Sequence, residues 1–179
     1  MTHRLAPVCS FLILNYCTTQ QTETQCFDPT ACHPPATSDL LKALADMGHG
    51  DTICIADANF PAHSVAKANN ARLISMEGVR DIPVLLEAIL KHLPLDTYAA
   101  PVMCMDLVPS DAARGLEVPA WGIYGRIASD AEGRQVAVSM IERFAFYEEA
   151  KRAFAVITSS DGALYANVIL RKGVLPFQK

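Results

Sequence analysis

The chain has 179 residues, 51% of them hydrophobic, a formal net charge of −4 and a pI near 5.7. That length buries a full core without metal or disulfide staples and reads as one folded domain. The acidic balance and scattered basic residues exclude the electrostatic footprint of a nucleic-acid or acidic-membrane binder, and no run of about 18 apolar residues suggests a transmembrane helix.

Residues 1–36 differ from the rest: they hold four of the six cysteines, many Thr and Gln, and the Pro34-Pro35 break. They read as an appended arm ahead of a domain at 37–179. Arg4 before the apolar run from Val8 to Leu14 has the outline of a secretory signal. The run is short and lacks a small-x-small cleavage site, so the reading is cytoplasmic. No cysteine pair has CxxC spacing; Cys54 and Cys104 fall in apolar strand patterns and read as buried free thiols.

Thr37 or Ser38 caps a first helix carrying Leu40, Leu41, Leu44 and Met47, with Gly48 as its stop. Thr52 to Ala56 is short, apolar and rich in β-branched residues, the pattern of a buried strand. Ionisable groups crowd both of its ends: His49 and Asp51 before it, Asp57 and His63 after it, the latter pair in a loop. Glycines 48 and 50 free the backbone around His49 for unusual angles, and an aspartate at the end of a buried strand sits where open α/β sheets hold ligands.

A strand is expected at 71–75, then a helix capped by Asp81 with Leu85, Leu86, Ile89, Leu90 and Leu93 on its apolar side. Residues 101–108 form another strand, 109–118 a polar loop, and Pro119 opens a helix through Trp121, Tyr124 and Ile127. A turn at 130–135 and a strand at 136–141 follow, then a helix with Phe144, Tyr147 and Lys151 on one side and Glu148 paired to Arg152. Strands at 154–158 and 168–170 complete a chain of alternating elements. That alternation predicts an α/β fold, three-layered α/β/α, with a mainly parallel central sheet.

GxSxG, GxxxxGK[ST], GxGxxG and HExxH are all absent, which removes most of the case for serine hydrolysis, nucleotide chemistry and thermolysin-like zinc chemistry. His49, Asp51, Asp57 and His63 match no standard ligand spacing, so no metal is expected. What remains is a set of acid–base and hydrogen-bonding groups: His49, Asp57, Asp96, Tyr147, Tyr165 and Asn167. Tyr165 and Asn167 are two apart in a stretch read as extended, which points both to one face. A phenol beside an amide suits a polyhydroxylated ligand. Taken singly, Tyr147 is a helix residue with a satisfied hydroxyl and Asp96 a turn residue at a helix exit.

The segments LLKALADMGHGDTICIADANFPAHS, DIPVLLEAILKHLPLDTY and IERFAFYEEAKRAFAVITSSDGALYANVILRKGVL together resemble the L-fucose mutarotase branch of the ribose-pyranase and fucose-mutarotase family. The GHGD and DANFP motifs resemble that branch more than the ribose branch. The resemblance implies a ribose-pyranase-like fold and an isomerase interconverting α and β anomers of a free reducing sugar without a cofactor. It implies His49 as proton donor acting with Asp96, and Asp57, Met105, Arg143, Tyr147, Tyr165 and Asn167 as substrate-binding residues. It further implies a ring-shaped homo-oligomer, commonly a decamer, with sites near subunit contacts. The arm and Ala166, where the family commonly has glycine, depart from the pattern.

Mutarotation needs a proton removed from the anomeric hydroxyl and one delivered to the ring oxygen, work suited to histidine. A carboxylate, Asp57 or Asp96, takes the hydroxyl proton or orients the imidazole. His49 and Asp57 bracket a strand that rises about 3.3 Å per residue, which separates them by about 20 Å and predicts a site shared between subunits. The alternatives carried alongside are a D-ribose pyranase and a non-catalytic sugar-binding protein.

Overall fold

The computed structural model describes residues 37–175. The arm proposed at 1–36, with its four cysteines, lies outside the described residues. Twelve elements follow in chain order: α1 (Ser38–Asp46), β1 (Thr52–Ala56), α2 (Ala62–Ala68), β2 (Arg72–Ser75), α3 (Ile82–Leu90), β3 (Val102–Met105), α4 (Pro109–Ala113), α5 (Pro119–Glu132), β4 (Val138–Ile141), α6 (Arg143–Lys151), β5 (Ala155–Thr158) and β6 (Val168–Arg171).

One six-stranded sheet runs in the order β2-β5-β1-β6-β3-β4. β1, β2 and β5 pair in parallel, as do β3 and β4, while β6 runs antiparallel to both of its neighbours. The sheet is therefore mainly parallel, as the alternation of elements predicts. The exception has a simple cause. A parallel crossover needs about a dozen residues, and only 159–167 separate β5 from β6.

Strand alternation sends side chains to two helical layers. Ile53 and Ile55 of β1 join Leu40 and Leu44 of α1, Leu85, Leu86 and Ile89 of α3, and Tyr124 of α5 in one core. Cys54 and Ala56 point the other way, to Val65 of α2 and Phe146 and Ala150 of α6. Three layers result. Cys54 and Cys104 are both buried free thiols, and burial pushes the Cys104 thiol up to about 12.

Several boundaries differ from the sequence expectation. α2 occupies part of what reads as a loop after β1, because its apolar stripe is only Ala62, Val65 and Ala66. α4 stands inside the supposed polar loop and buries no residue, so it leaves no periodic signal. α5 continues to Glu132 and stops at Gly133, whose φ of +62° requires glycine or a similarly tolerant residue. Gly48 is not a left-handed stop: the chain leaves α1 in extended conformation at Met47, and Gly50, with φ +85°, makes the turn. His49 itself has no positive φ. On α6, Glu148 pairs with Lys151 and Glu149 with Arg152, both at i, i+3, instead of Glu148 with Arg152.

β6 decides where chemistry gathers. Because it runs backwards, the residues before it arrive at the sheet edge where β1 and β3 end. The residues after it return to the edge where β1 begins.

Candidate active site

At the first of these edges a cleft of about 240 Å³ opens, smaller than the roughly 300–1,000 Å³ of drug-sized pockets. Its wall includes Asp57 from the end of β1, Met105 from the end of β3, Arg143 and Tyr147 from α6, and Tyr165 and Asn167 from the approach to β6. All six residues proposed for sugar binding therefore meet in one place.

Asp57 and Asn167 are both buried and locked together. The Asn167 amide donates to Asp57 Oδ2 at 2.7 Å, while the Asp57 backbone N–H donates to Asn167 Oδ1 at 2.8 Å. The Asn59 N–H donates to Asp57 Oδ1 at 2.9 Å. Burial pushes the Asp57 carboxyl above the usual carboxylate range, partly offset by the donors from Asn59 and Asn167.

Tyr165 is not in an extended stretch. Its φ is +58°, in the left-handed region that few non-glycine residues adopt. α5 holds it there: Trp121 Nε1 donates to the Tyr165 carbonyl at 3.3 Å, and the Tyr124 hydroxyl donates to the Ala166 carbonyl at 2.8 Å. Tyr165 and Asn167 thus share the cleft because of a pinned turn. Strand alternation is not the reason.

Phe60 packs at 5.4 Å between centroids against Tyr147 and at 5.9 Å against Phe146, so the NFP motif walls the tyrosine. Arg143 brings the cleft's positive charge, and its Nε is buried without a hydrogen-bond partner among the described residues. A buried donor left open in a cleft is available to a ligand oxygen.

The sequence reading missed Asp111, Asn59, Phe60 and Leu164 as cleft residues. Asp111 lies on α4 and accepts the Tyr165 hydroxyl at 2.6 Å. Its signal was the Pro-Ser-Asp run, a helix start that composition alone renders as loop.

His49 and Asp96 lie together at the opposite edge. His49 Nε2 is 3.4 Å from Asp96 Oδ1, and the imidazole meets the Tyr98 ring edge-on at 5.8 Å. The Tyr98 backbone N–H, helped by His49, holds the Asp96 carboxyl below its usual range. The His49 side chain is 49% exposed and Tyr98 is 82% exposed, so this pair faces outward from its own chain. Lys172, buried just after β6, braces the loop: its ammonium donates to the Leu44 and Met47 carbonyls at 2.8 and 2.7 Å. Its backbone bonds Gly50 and Asp51 on either side. His63 is exposed on α2 and belongs to neither group.

Fold and cleft together define a mixed α/β protein with a compact pocket lined by polar and aromatic side chains. A profile of the RbsD / FucU transport protein family matches residues 32–175. The chain belongs to that family. It is 52% identical over 140 residues to the fucose mutarotase of Danio rerio, covering 78% of this chain and 90% of that one. The crystal structure of FucU from Bifidobacterium longum superposes with TM-score 0.72 at 43% identity, covering 79% of this chain and 97% of that one. The fucose mutarotase of Streptococcus pneumoniae in complex with L-fucose superposes with TM-score 0.69 at 38% identity, covering 81% and 99%.

Proposed function

We propose that this chain is an isomerase, a mutarotase that interconverts the α and β anomers of a free reducing sugar, L-fucose foremost, without a cofactor. The observation that carries the reading is the convergence of Asp57, Arg143, Tyr147, Tyr165 and Asn167 on one cleft in a member of this family. The relatives named fucose mutarotase, one of them bound to L-fucose, support the choice of sugar.

The chemistry is a reversible ring opening. The anomeric O1–H proton leaves to a carboxylate, and its electron pair forms the C1=O1 double bond. The C1–O5 pair passes to the ring oxygen, which takes a proton from the His49 imidazolium. Rotation about C1–C2 presents the other aldehyde face, and the steps reverse. Asp57 is the carboxylate at the cleft, and burial raises its proton affinity in the direction this step needs. Asp96, 3.4 Å from His49 Nε2, orients the imidazole. Arg143, Tyr147, Tyr165, Asn167 and Met105 hold the sugar.

His49 and the cleft occupy opposite edges of the sheet, about 20 Å apart by the strand rise. One sugar therefore contacts both only when His49 comes from a neighbouring copy. The outward-facing His49 and Tyr98 support such a contact, and a ring-like homo-oligomer, a decamer, supplies it. Residues 37–179 carry this activity in the cytoplasm, and 1–36 form an appended arm. Among the described residues no helix is long and apolar enough to cross a membrane.

NMR saturation transfer between the α and β anomers of L-fucose tests the assignment. Wild type is expected to accelerate exchange, and His49→Ala to lose roughly 10²–10⁴-fold, the range of positioned acid–base catalysis. Unaltered exchange with wild-type protein overturns it.

A further inference from the structure

Asp111 touches a ligand-facing residue of the cleft without belonging to the proposed sugar contacts. A phenol has a single proton, and an ionised carboxylate can only accept. The 2.6 Å bond from the Tyr165 hydroxyl to Asp111 Oδ2 consequently spends the one proton that Tyr165 has. Arg114 donates to the other oxygen, Asp111 Oδ1, from one helical turn further on. Together the Tyr165 hydroxyl and the Arg114 guanidinium hold the Asp111 carboxyl below the usual carboxylate range, so it stays an acceptor at neutral pH. In return, the bond to Asp111 raises the Tyr165 phenol, which stays protonated. α4 buries no residue of its own, so the Asp111–Tyr165 bond is a main tie between that helix and the cleft wall.

We propose that Asp111 is a positioning residue that fixes the Tyr165 hydroxyl as an acceptor toward the sugar, so that the cleft selects a ligand with a donating hydroxyl at that point. The proposal rests on the cleft being the sugar site. It concerns polarity rather than shape: an analogue that fills the same space without a donor is refused.

Deoxyfluoro analogues of L-fucose test it, since carbon-bound fluorine keeps the size of a hydroxyl and cannot donate. KM and kcat are measured by anomer exchange for L-fucose and its 2-, 3- and 4-deoxyfluoro forms, with wild type, Asp111→Asn and Tyr165→Phe. In wild type, one fluoro position is expected to raise KM roughly three- to tenfold, the size of one lost hydrogen bond, with little change in kcat. In Asp111→Asn, Arg114 keeps the amide oxygen, which turns the amide N–H₂ to Tyr165 and its phenol proton to the sugar. The penalty at that position should then shrink, because fluorine accepts weakly but no longer faces a bare lone pair, and it should disappear in Tyr165→Phe. An identical analogue profile in wild type and Asp111→Asn overturns the proposal.

A measurement without sugar separates this from the mutarotase reading. With ¹³C-labelled tyrosine, the Tyr165 titration should fall toward the ordinary phenol range in Asp111→Asn. A wild type that exchanges no sugar sinks the mutarotase reading alone, and an unmoved Tyr165 titration sinks the role of Asp111.

Discussion

The Asp57–Asn167 pair is locked by reciprocal hydrogen bonds at the cleft. The Asn167 amide donates to Asp57 Oδ2 at 2.7 Å and the Asp57 backbone N–H donates back to Asn167 Oδ1 at 2.8 Å, and both residues line the cleft. Burial is the larger influence on Asp57 and raises its carboxyl. A raised acid contributes stability that is present below its unfolded value of 3.8 and is lost as pH rises through the folded value. Asn167→Asp should exaggerate this, because a second carboxylate would replace the donating amide at 2.7 Å. Urea denaturation is expected to show a loss of about 3 kcal/mol near neutral pH, the cost of an uncompensated buried charge. The deficit should shrink as pH falls and the pair comes to share a proton. A deficit independent of pH would mean that packing, and not charge, is what Asn167 supplies.

At the scale of elements, β6 and its two flanks organise both edges of the sheet. Gly173, just past β6, is where the return path is tightest: a Cβ there would lie 2.5 Å from the Leu95 carbonyl oxygen and 3.0 Å from the Asp96 nitrogen. Both neighbours are backbone, so neither can rotate aside. Gly173→Ala should push Leu95 and Asp96 outward, cost about 1–3 kcal/mol of stability from overpacking, and pull Asp96 away from His49. Denaturation midpoints together with anomer exchange check this, the expected pattern being a fall in kcat with sugar affinity retained. The layers and most elements were legible in the sequence because β1, α3 and β5 carry dense periodic apolar patterns. α2 and α4 were not, since each is short and buries three residues or none. The direction of β6 lay beyond a four-residue apolar run, which reads alike both ways. For the cleft, motif residues such as Asp57 and Asn167 were readable, whereas Asp111 depended on a short helix whose position only the tertiary fold sets.

For the whole molecule, the separation of His49 from the cleft is the decisive geometry. His49 precedes β1 and Asp57 follows it, and the five residues of β1 are rigidly held between β5 and β6. No loop rearrangement short of unfolding the central strand brings the two edges together. With the proposed role of His49, the site would combine the His49 edge of one copy with the cleft of another, and symmetric assembly would repeat that combination at every contact. Such a site can be split genetically. His49→Ala lacks the proposed proton donor but retains the cleft, and Tyr147→Phe retains that histidine but alters the cleft. Co-refolding the two at equal amounts should generate sites with both halves intact, restoring about a quarter of wild-type exchange if copies mix at random. Co-refolded material as slow as either variant alone would place His49 and the cleft in the same copy and refute the shared site.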